Sequence, residues 1–309
     1  MTLLKSLFNN LTDSLMHLDY DNPAQWLAHR FACDAEARHH EIEHKFLDFF
    51  RQHQTSLKVV DIGSGTGANV RYYFDKIPHA QEWTLIEQST YLLEECRHSL
   101  SAFAQEHNYS WQAQGDAFLL TDTEEKTATI KLVPGRLEHI EQLTDLPHTD
   151  VVTANAVFDL LSFEQFDALV STLARHDVCL LATLNYYETS FLPFSDQDHR
   201  FTHWYHMHMK RPQPMGIAMG PDCSAEMLDL LAQHHMMIEQ EGSQWHLKKC
   251  DLTMHRYILH FMKQAISELS LSQEEQRDFN AWLDRKKELC RQRELEIIID
   301  HSDIFACPR

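Results

Sequence analysis

The chain has 309 residues, 43% hydrophobic and 24% charged, enough apolar surface for a large folded core and too little bias for a disordered or fibrous chain. Its 27 basic and 46 acidic side chains leave a formal charge of −19, which repels phosphate backbones and anionic headgroups and speaks against nucleic acid or a membrane surface as partner. The basic cluster Arg285-Lys286-Lys287 lies among Asp284, Glu288 and Glu294 and is expected on a solvated helix face. Seven scattered cysteines without a Cys-x-x-Cys pair are expected to be reduced thiols. No apolar run approaches membrane-spanning length and Met1–Leu18 lacks a secretory pattern, so cytoplasmic residence is the expectation.

Residues 1–55 carry helical spacing, with Leu3, Leu7, Leu11 and Leu15 on one face and Ile42, Phe46, Phe49 and Phe50 on a later one, divided by the Asp21-Asn22-Pro23 turn. From Leu57 short β-prone runs alternate with amphipathic stretches, the pattern of a parallel sheet flanked by helices. Strands are expected at Leu57–Ile62 and Trp83–Glu87, with helices near Ala68–Lys76 and over Thr90–Gln105. Residues 109–133 suggest a hairpin of Tyr109–Phe118 and Thr127–Val133. Strands at Asp150–Ala154 and Val178–Leu184 precede a helix at Ser224–His235 capped by Ser224, and a strand at Met237–Trp245 follows. Helices at Met254–Leu269 and Gln273–Arg293 and a β-prone stretch at Ile297–Ala306 complete the chain.

The segment Val59-Val60-Asp61-Ile62-Gly63-Ser64-Gly65-Thr66-Gly67 stands at the first strand-to-helix turn, where glycines let the backbone turn tightly and approach a ligand. With Ala68 it also satisfies the dinucleotide pattern, so spacing alone does not separate the methyl donor S-adenosylmethionine (SAM) from NAD. Asp61 does. A carboxylate two residues before the first glycine repels a pyrophosphate, whereas it complements the ammonium and sulfonium of SAM. Glu87 closes the second β-run twenty residues beyond Gly67, where a carboxylate can accept ribose hydroxyls.

Val59 to Gly67 together with Glu87 resembles motif I and the ribose acid of the class I SAM-dependent methyltransferases, and Thr149 to Ser162 is similar to the strand-four segment of their small-molecule members. The resemblance runs over residues 30–245. It implies a Rossmann-like α/β fold with a seven-stranded, mostly parallel sheet between helices, ending in an antiparallel pair. The last two strands would be Met237–Trp245 and a stretch near residue 304, with residues 253–293 as a helical insertion. Residues 1–55 would be a helical cap and 56–309 the SAM-binding domain. By the same resemblance Asp61, Gly63, Ser64, Gly65 and Gly67 hold the methionine and ribose end, Glu87 and the adjoining Gln88 the ribose, and Asn155 lies beside the sulfonium. Leu137 and Glu138 flank the adenine, with Asp116 as the alternative if Tyr109–Phe118 is the true third strand. Arg30, Asp34 and Arg38 form part of a pocket roof.

Methyl transfer is an in-line displacement with a good leaving group, so alignment supplies much of the rate and a general base is needed only for some acceptors. Phe158, Asp159, Tyr186 and Tyr187 qualify by position, and Asp159 and Tyr186 are the catalytic candidates. Tyrosines at a strand end also pack as core aromatics, and Asp159 could cap a helix. Residues 193–220, rich in His, Trp, Met and Pro, suggest a substrate lid. His199, His203, His206 and His208 within it are expected to be polar lining rather than metal ligands. His40-Glu41-Ile42-Glu43-His44 matches a zinc-protease pattern, but 22 histidines make chance matches common, so no metal is expected. The sequence therefore points to a SAM-dependent methyltransferase with a small-molecule acceptor. A SAM-binding protein without methyl transfer and an NAD-dependent oxidoreductase are the alternatives, and nothing specifies an oligomeric state.

Overall fold

The structure is a computed structural model describing residues 18–51, 56–213 and 216–309, so the expected helix through Leu3, Leu7, Leu11 and Leu15 lies outside the described residues. The chain forms two compact units. The smaller takes the described residues up to Cys33 with Thr189–His208 and Trp245–Ile299; the larger takes Asp34–Glu188, Met209–Gln244 and Asp300–Arg309. Among the described residues no helix is long and apolar enough to cross a membrane.

In chain order the elements are α1 (Pro23–Ala37), α2 (His40–Arg51), β1 (Leu57–Ile62), α3 (Ala68–Tyr73), β2 (Gln81–Glu87), α4 (Thr90–His107), β3 (Ser110–Gln114), β4 (Ala117–Thr121) and β5 (Thr127–Pro134). There follow β6 (Val151–Asn155), α5 (Phe163–Arg175), β7 (Cys179–Leu192), α6 (Asp198–Met209), β8 (Pro212–Gln213), β9 (Gly216–Ile217), α7 (Cys223–Gln233), β10 (Met237–Leu247), α8 (Leu252–Ser267), α9 (Gln273–Arg291) and β11 (Glu296–Cys307).

The main sheet runs β10-β11-β7-β6-β1-β2-β5-β4-β3. Its centre is parallel through β7-β6-β1-β2-β5. The chain winds outward from β1 through β2 to β5 and then returns to β6 on the other side, so the switch point of the sheet lies between β1 and β6, where open α/β sheets bind ligands. Cys179 meets Cys307 in a disulfide, while the Leu184 N–H and the Asn185 amide bond Asp303 and Ser302. Residue numbers therefore fall along β11 as they rise along β7, and β11 is antiparallel, as the resemblance implies for the last strand.

Among the described residues the sheet has nine strands rather than the expected seven. The two extra strands come from the segment read as a simple hairpin. Gly115 at φ +63 turns the chain in the middle of Tyr109–Phe118, so β3 and β4 form a meander on the edge of β5. Because β5 is the strand that lies parallel to β2, it is the third strand of the winding.

Alternation gives the sheet two buried faces. Val60, Ile62, Val152 and Ala154 pack with α5 and α7, while Leu57, Val59, Trp83 and Leu85 pack with Phe46, Phe50, Val70 and Leu100 from the other helices. Asp61 and Thr153 share the second face and are direct register partners.

Several local expectations change. The second leading helix is broken at Arg38–His39, where the His39 N–H donates to the Asp303 carboxylate at 2.8 Å. Helix α5 has no counterpart in the sequence reading, although Ser162 and Gln165 form a complete capping box at its start. Replacing Ser162 with Ala should cost about 1 kcal/mol of stability, measured by urea unfolding. Helix α7 begins one residue before the expected cap, and its N-cap residue, Asp222, makes no side-chain cap bond.

The cysteine reading also needs correction: Cys179 and Cys307 are bonded across 128 residues, a pairing set by strand register and invisible to local spacing. In the smaller unit Lys286 is not on a solvated face. It is 2% exposed, bonds both oxygens of Asp198, which also accepts the Trp282 indole N–H, and lies over the Phe191 ring. One apolar stripe of α9 faces inward with Phe279, Trp282 and Leu283, and Lys286 falls on it at the next turn.

Candidate functional site

The site in the larger unit grows from the C-terminal ends of β1, β2 and β6. Asp61, 1% exposed, accepts the Asn69 amide at 2.6 Å and the Thr153 hydroxyl at 2.7 Å on the same oxygen. Asn69 comes from the first turn of α3, and its own carbonyl oxygen accepts Arg38 Nη2 at 2.6 Å. Burial pushes the Asp61 carboxyl up to about 6, against the opposing pull of the Thr153 and Asn69 hydrogen bonds and the Arg38 charge, with Glu87 adding to the rise. A cation arriving here would favour the ionised carboxylate.

The glycine turn has the conformation its residues permit. Gly63, Gly65 and Gly67 all have positive φ. A Cβ on Gly63 would stand 2.8 Å from a Val157 methyl, and one on Gly67 2.9 Å from the Cys96 sulfur and 3.3 Å from Leu100. The third glycine thus lets α4 close against the turn, and the first lets the loop after β6 approach it. Cys96 is fully buried, and burial, with Asp61 and Glu87 nearby, pushes its thiol up to about 12, so it serves as an apolar wall rather than a nucleophile. The hydroxyl of Ser64 is buried without a hydrogen-bond partner, a donor and acceptor open to a ligand.

Glu87, at the end of β2, accepts the Gly65 N–H at 3.2 Å on one oxygen and the Ser89 N–H at 2.9 Å on the other. It therefore braces the turn, and an ionised carboxylate has further lone pairs for ribose hydroxyls. Gln88 is exposed beside it. Asn155 ends β6 and is engaged on both sides, donating to Asp34 at 3.0 Å and accepting the Thr183 hydroxyl at 2.9 Å. Ala156 follows at φ +56, with its N–H on the Thr183 carbonyl. A non-glycine residue in this region stores strain of the kind found where a loop is held for function.

The outer candidates are more dispersed. Leu137 and Glu138 follow β5, the parallel third strand; Leu137 is half-buried and Glu138 is exposed, bonded by Gln165 at 2.9 Å. Asp116 lies in the β3–β4 turn, ion-paired with Lys131 on the far meander. Asp159 is buried, and Tyr186 is half-buried with its ring 6.5 Å from His301. Phe158 is fully buried against Phe166 in the core, and Tyr187 is exposed.

The described part of residues 193–220, where the sequence suggests a lid, is more regular than expected. Residues 198–209 form α6, and Pro212–Gln213 pairs antiparallel with Gly216–Ile217. In the smaller unit His199 lies against Phe194 and His208 bonds Glu268. Of the zinc-protease pattern, His40 and His44 are exposed and Glu43 is taken by the Tyr72 hydroxyl and Lys76. Among the described residues no group of three His, Cys, Asp or Glu could hold a metal ion. Arg30 belongs to the smaller unit, over the Trp26 and Trp245 rings.

Four site residues were not singled out by sequence: Asn69, Thr153, Asn185 and Asp303. Asp303 is 1% exposed and accepts from His39 N–H, Leu184 N–H and the Ser243 hydroxyl, pinning Leu184 at φ +56. An aspartate inside the apolar run Ile297–Ala306 was the available signal.

No protein-family model matches the chain, and a search of curated proteins returns no match. Solved structures offer remote likenesses. A mycolic acid cyclopropane synthase complexed with SAH and CTAB is 13% identical, covering 95% of this chain and 99% of that one with a TM-score of 0.44. A cyclopropane synthase from Mycobacterium tuberculosis is 12% identical over 82% and 79%, TM-score 0.42. A putative sarcosine dimethylglycine methyltransferase from Galdieria sulphuraria is 12% identical over 86% and 84%, TM-score 0.40. Likenesses at this level decide nothing about function, which has to be read from the chain's own residues.

Proposed function

We propose that the chain is a SAM-dependent methyltransferase of the class I kind, acting on a small-molecule acceptor. The observation that carries this reading is the buried, hydrogen-bonded Asp61 at the switch point of the sheet, immediately before a glycine turn braced by Glu87. A dinucleotide pyrophosphate at that turn would meet a carboxylate with no matching positive charge at the glycines, whereas a cationic nucleoside would meet a complementary one. The partnerless Ser64 hydroxyl and the remaining lone pairs of Glu87 suit the hydroxyls of a ribose. SAM, when bound, supplies an electrophilic methyl on a sulfonium.

The chain's part is to bind, orient and exclude water: Asp61 and Glu87 fix the nucleoside, Asn155 and the strained Ala156 hold the strand-four loop, and Asp159 or Tyr186 is available to take a proton from a hydroxyl or ammonium acceptor. The charge of −19 supports a small acceptor over nucleic acid. The test is incubation with methyl-labelled SAM and fractionated small metabolites, with Asp61→Asn as control. Label appearing in a small molecule with the native chain and not with the variant is the expected result. Tight SAM binding with no labelled product in any fraction would replace transfer by a SAM-binding role.

A further inference from the structure

Asn185 on β7 is fully buried, yet only half of its amide is bonded. Its Nδ2 donates to the Ser302 carbonyl at 2.8 Å, while its Oδ1 is buried without a hydrogen-bond partner. A carbonyl only accepts, so the nitrogen has to face Ser302 and the atom left over is the oxygen. A buried acceptor without a donor is costly, and here the backbone is held so as to keep it in place. Leu184, the residue before, stands at φ +56 with its N–H on Asp303, whose carboxylate also takes the Ser243 hydroxyl and the His39 N–H. A non-glycine residue in that conformation persists only where its surroundings over-determine it.

Sheet order says which ligand this oxygen would meet. The glycine turn follows β1, Asn155 ends β6 one strand along, and Asn185 lies on β7, the next strand, two residues past the Thr183 that bonds Asn155. That is one strand beyond the residue beside the sulfonium, on the methyl-acceptor side. The surroundings are rich in hydrogen-bond acceptors: Asp34 takes the Asn155 amide, Asp159 is buried in the loop after β6, and Asp61 and Asp303 are buried at β1 and β11, with Arg38 as the cation against these four carboxyl groups. Such a field favours an N–H donor or a cation and opposes an anion. Resting on the methyltransferase reading, we propose that the methyl acceptor is a primary or secondary amine, one N–H of which is accepted by Asn185 Oδ1 so that the nitrogen lone pair is turned toward the methyl. The arriving ammonium loses one proton to Asp159 or to solvent, its lone pair forms the N–C bond while the C–S pair returns to sulfur, and the product is a methylated ammonium. An amide oxygen does not take the proton, so Asn185 selects and orients the amine and is not its base.

The test separates small metabolites on a cation exchanger into retained amines and unretained neutral and acidic compounds, and incubates each fraction with methyl-labelled SAM and the native chain. Label should enter the retained fraction, on nitrogen. Label from the unretained fraction alone, or on carbon or oxygen, would overturn the proposal without any variant having to fold. Asn185→Leu and Asn185→Ala should bind S-adenosylhomocysteine with native affinity, yet need roughly ten- to a hundredfold more of the retained fraction for half-maximal labelling, the range for a lost hydrogen bond to a charged group. Variants that label at the native concentration, or that lose S-adenosylhomocysteine together with the label, would overturn the assignment of Asn185. A native chain that labels neither fraction would instead sink the methyltransferase reading itself.

Discussion

Gly67→Ala is expected to destabilise the protein by roughly 2–4 kcal/mol and to abolish binding of the adenosyl ligand, because it combines a left-handed backbone with an overpacked contact. The residue sits at φ +75, and a Cβ there would lie 2.9 Å from the sulfur of Cys96 and 3.3 Å from Leu100, both fully buried on α4. Neither neighbour can retreat without moving the helix, and moving it opens the turn that Glu87 braces. Gly115→Ala is the matched control: φ is +63, but nothing lies within 4 Å of the added Cβ. That change should cost only about 1 kcal/mol. Urea unfolding of both variants separates the two contributions, and equal losses would mean that Gly67 is needed for its backbone angle alone.

Asp61→Asn should move stability and binding in opposite directions. The carboxyl is raised from an ordinary value of 3.8 to about 6 by burial, so the folded state holds its proton where the unfolded state has released it. Stability from this group is fully present below pH 4 and is lost as pH rises to 6, and the native chain at pH 8 carries a charge penalty of about 3 kcal/mol. Asparagine keeps the acceptor for Asn69 and Thr153 without the charge. The variant should therefore be more stable than the native chain at pH 8, with the advantage shrinking toward pH 4, as read from urea midpoints across that range. Its affinity for SAM should fall by about a hundredfold, since a buried charge partner is lost. In the native chain, SAM binding should weaken on acidification below pH 6, because a cationic ligand must then displace the proton. A pH-independent stability difference would show that Asp61 titrates normally.

The parts of the fold that follow from local chemistry are legible in the sequence. The glycine turn, the acid ending β2 and the alternation of β-runs with amphipathic stretches mark β1, β2, β6, β7, β10 and β11, and the favoured placement of the third strand before Arg136-Leu137-Glu138 agrees with β5 pairing parallel to β2. What depends on register is not legible. Thr153 reaches Asp61 from 92 residues away because β1 and β6 align those two positions. The Cys179–Cys307 disulfide and the three donors on Asp303 likewise follow from which strands become neighbours. Lys286 was misread because charged neighbours suggest solvent, whereas helical spacing from Phe279 and Trp282 puts it inside. The resemblance puts Arg38 near the site, but its bond to Asn69 goes with the break at His39, which the helical periodicity of residues 24–51 conceals.

The most direct measurement is calorimetric titration of the purified chain with SAM, S-adenosylhomocysteine and, separately, NAD. The predicted result is saturable binding of both adenosyl ligands and none of NAD, with the affinity for SAM about a hundredfold lower in Asp61→Asn. Binding of NAD in place of the adenosyl ligands would contradict the account at its centre, because a pyrophosphate would then be seated beside a buried carboxylate.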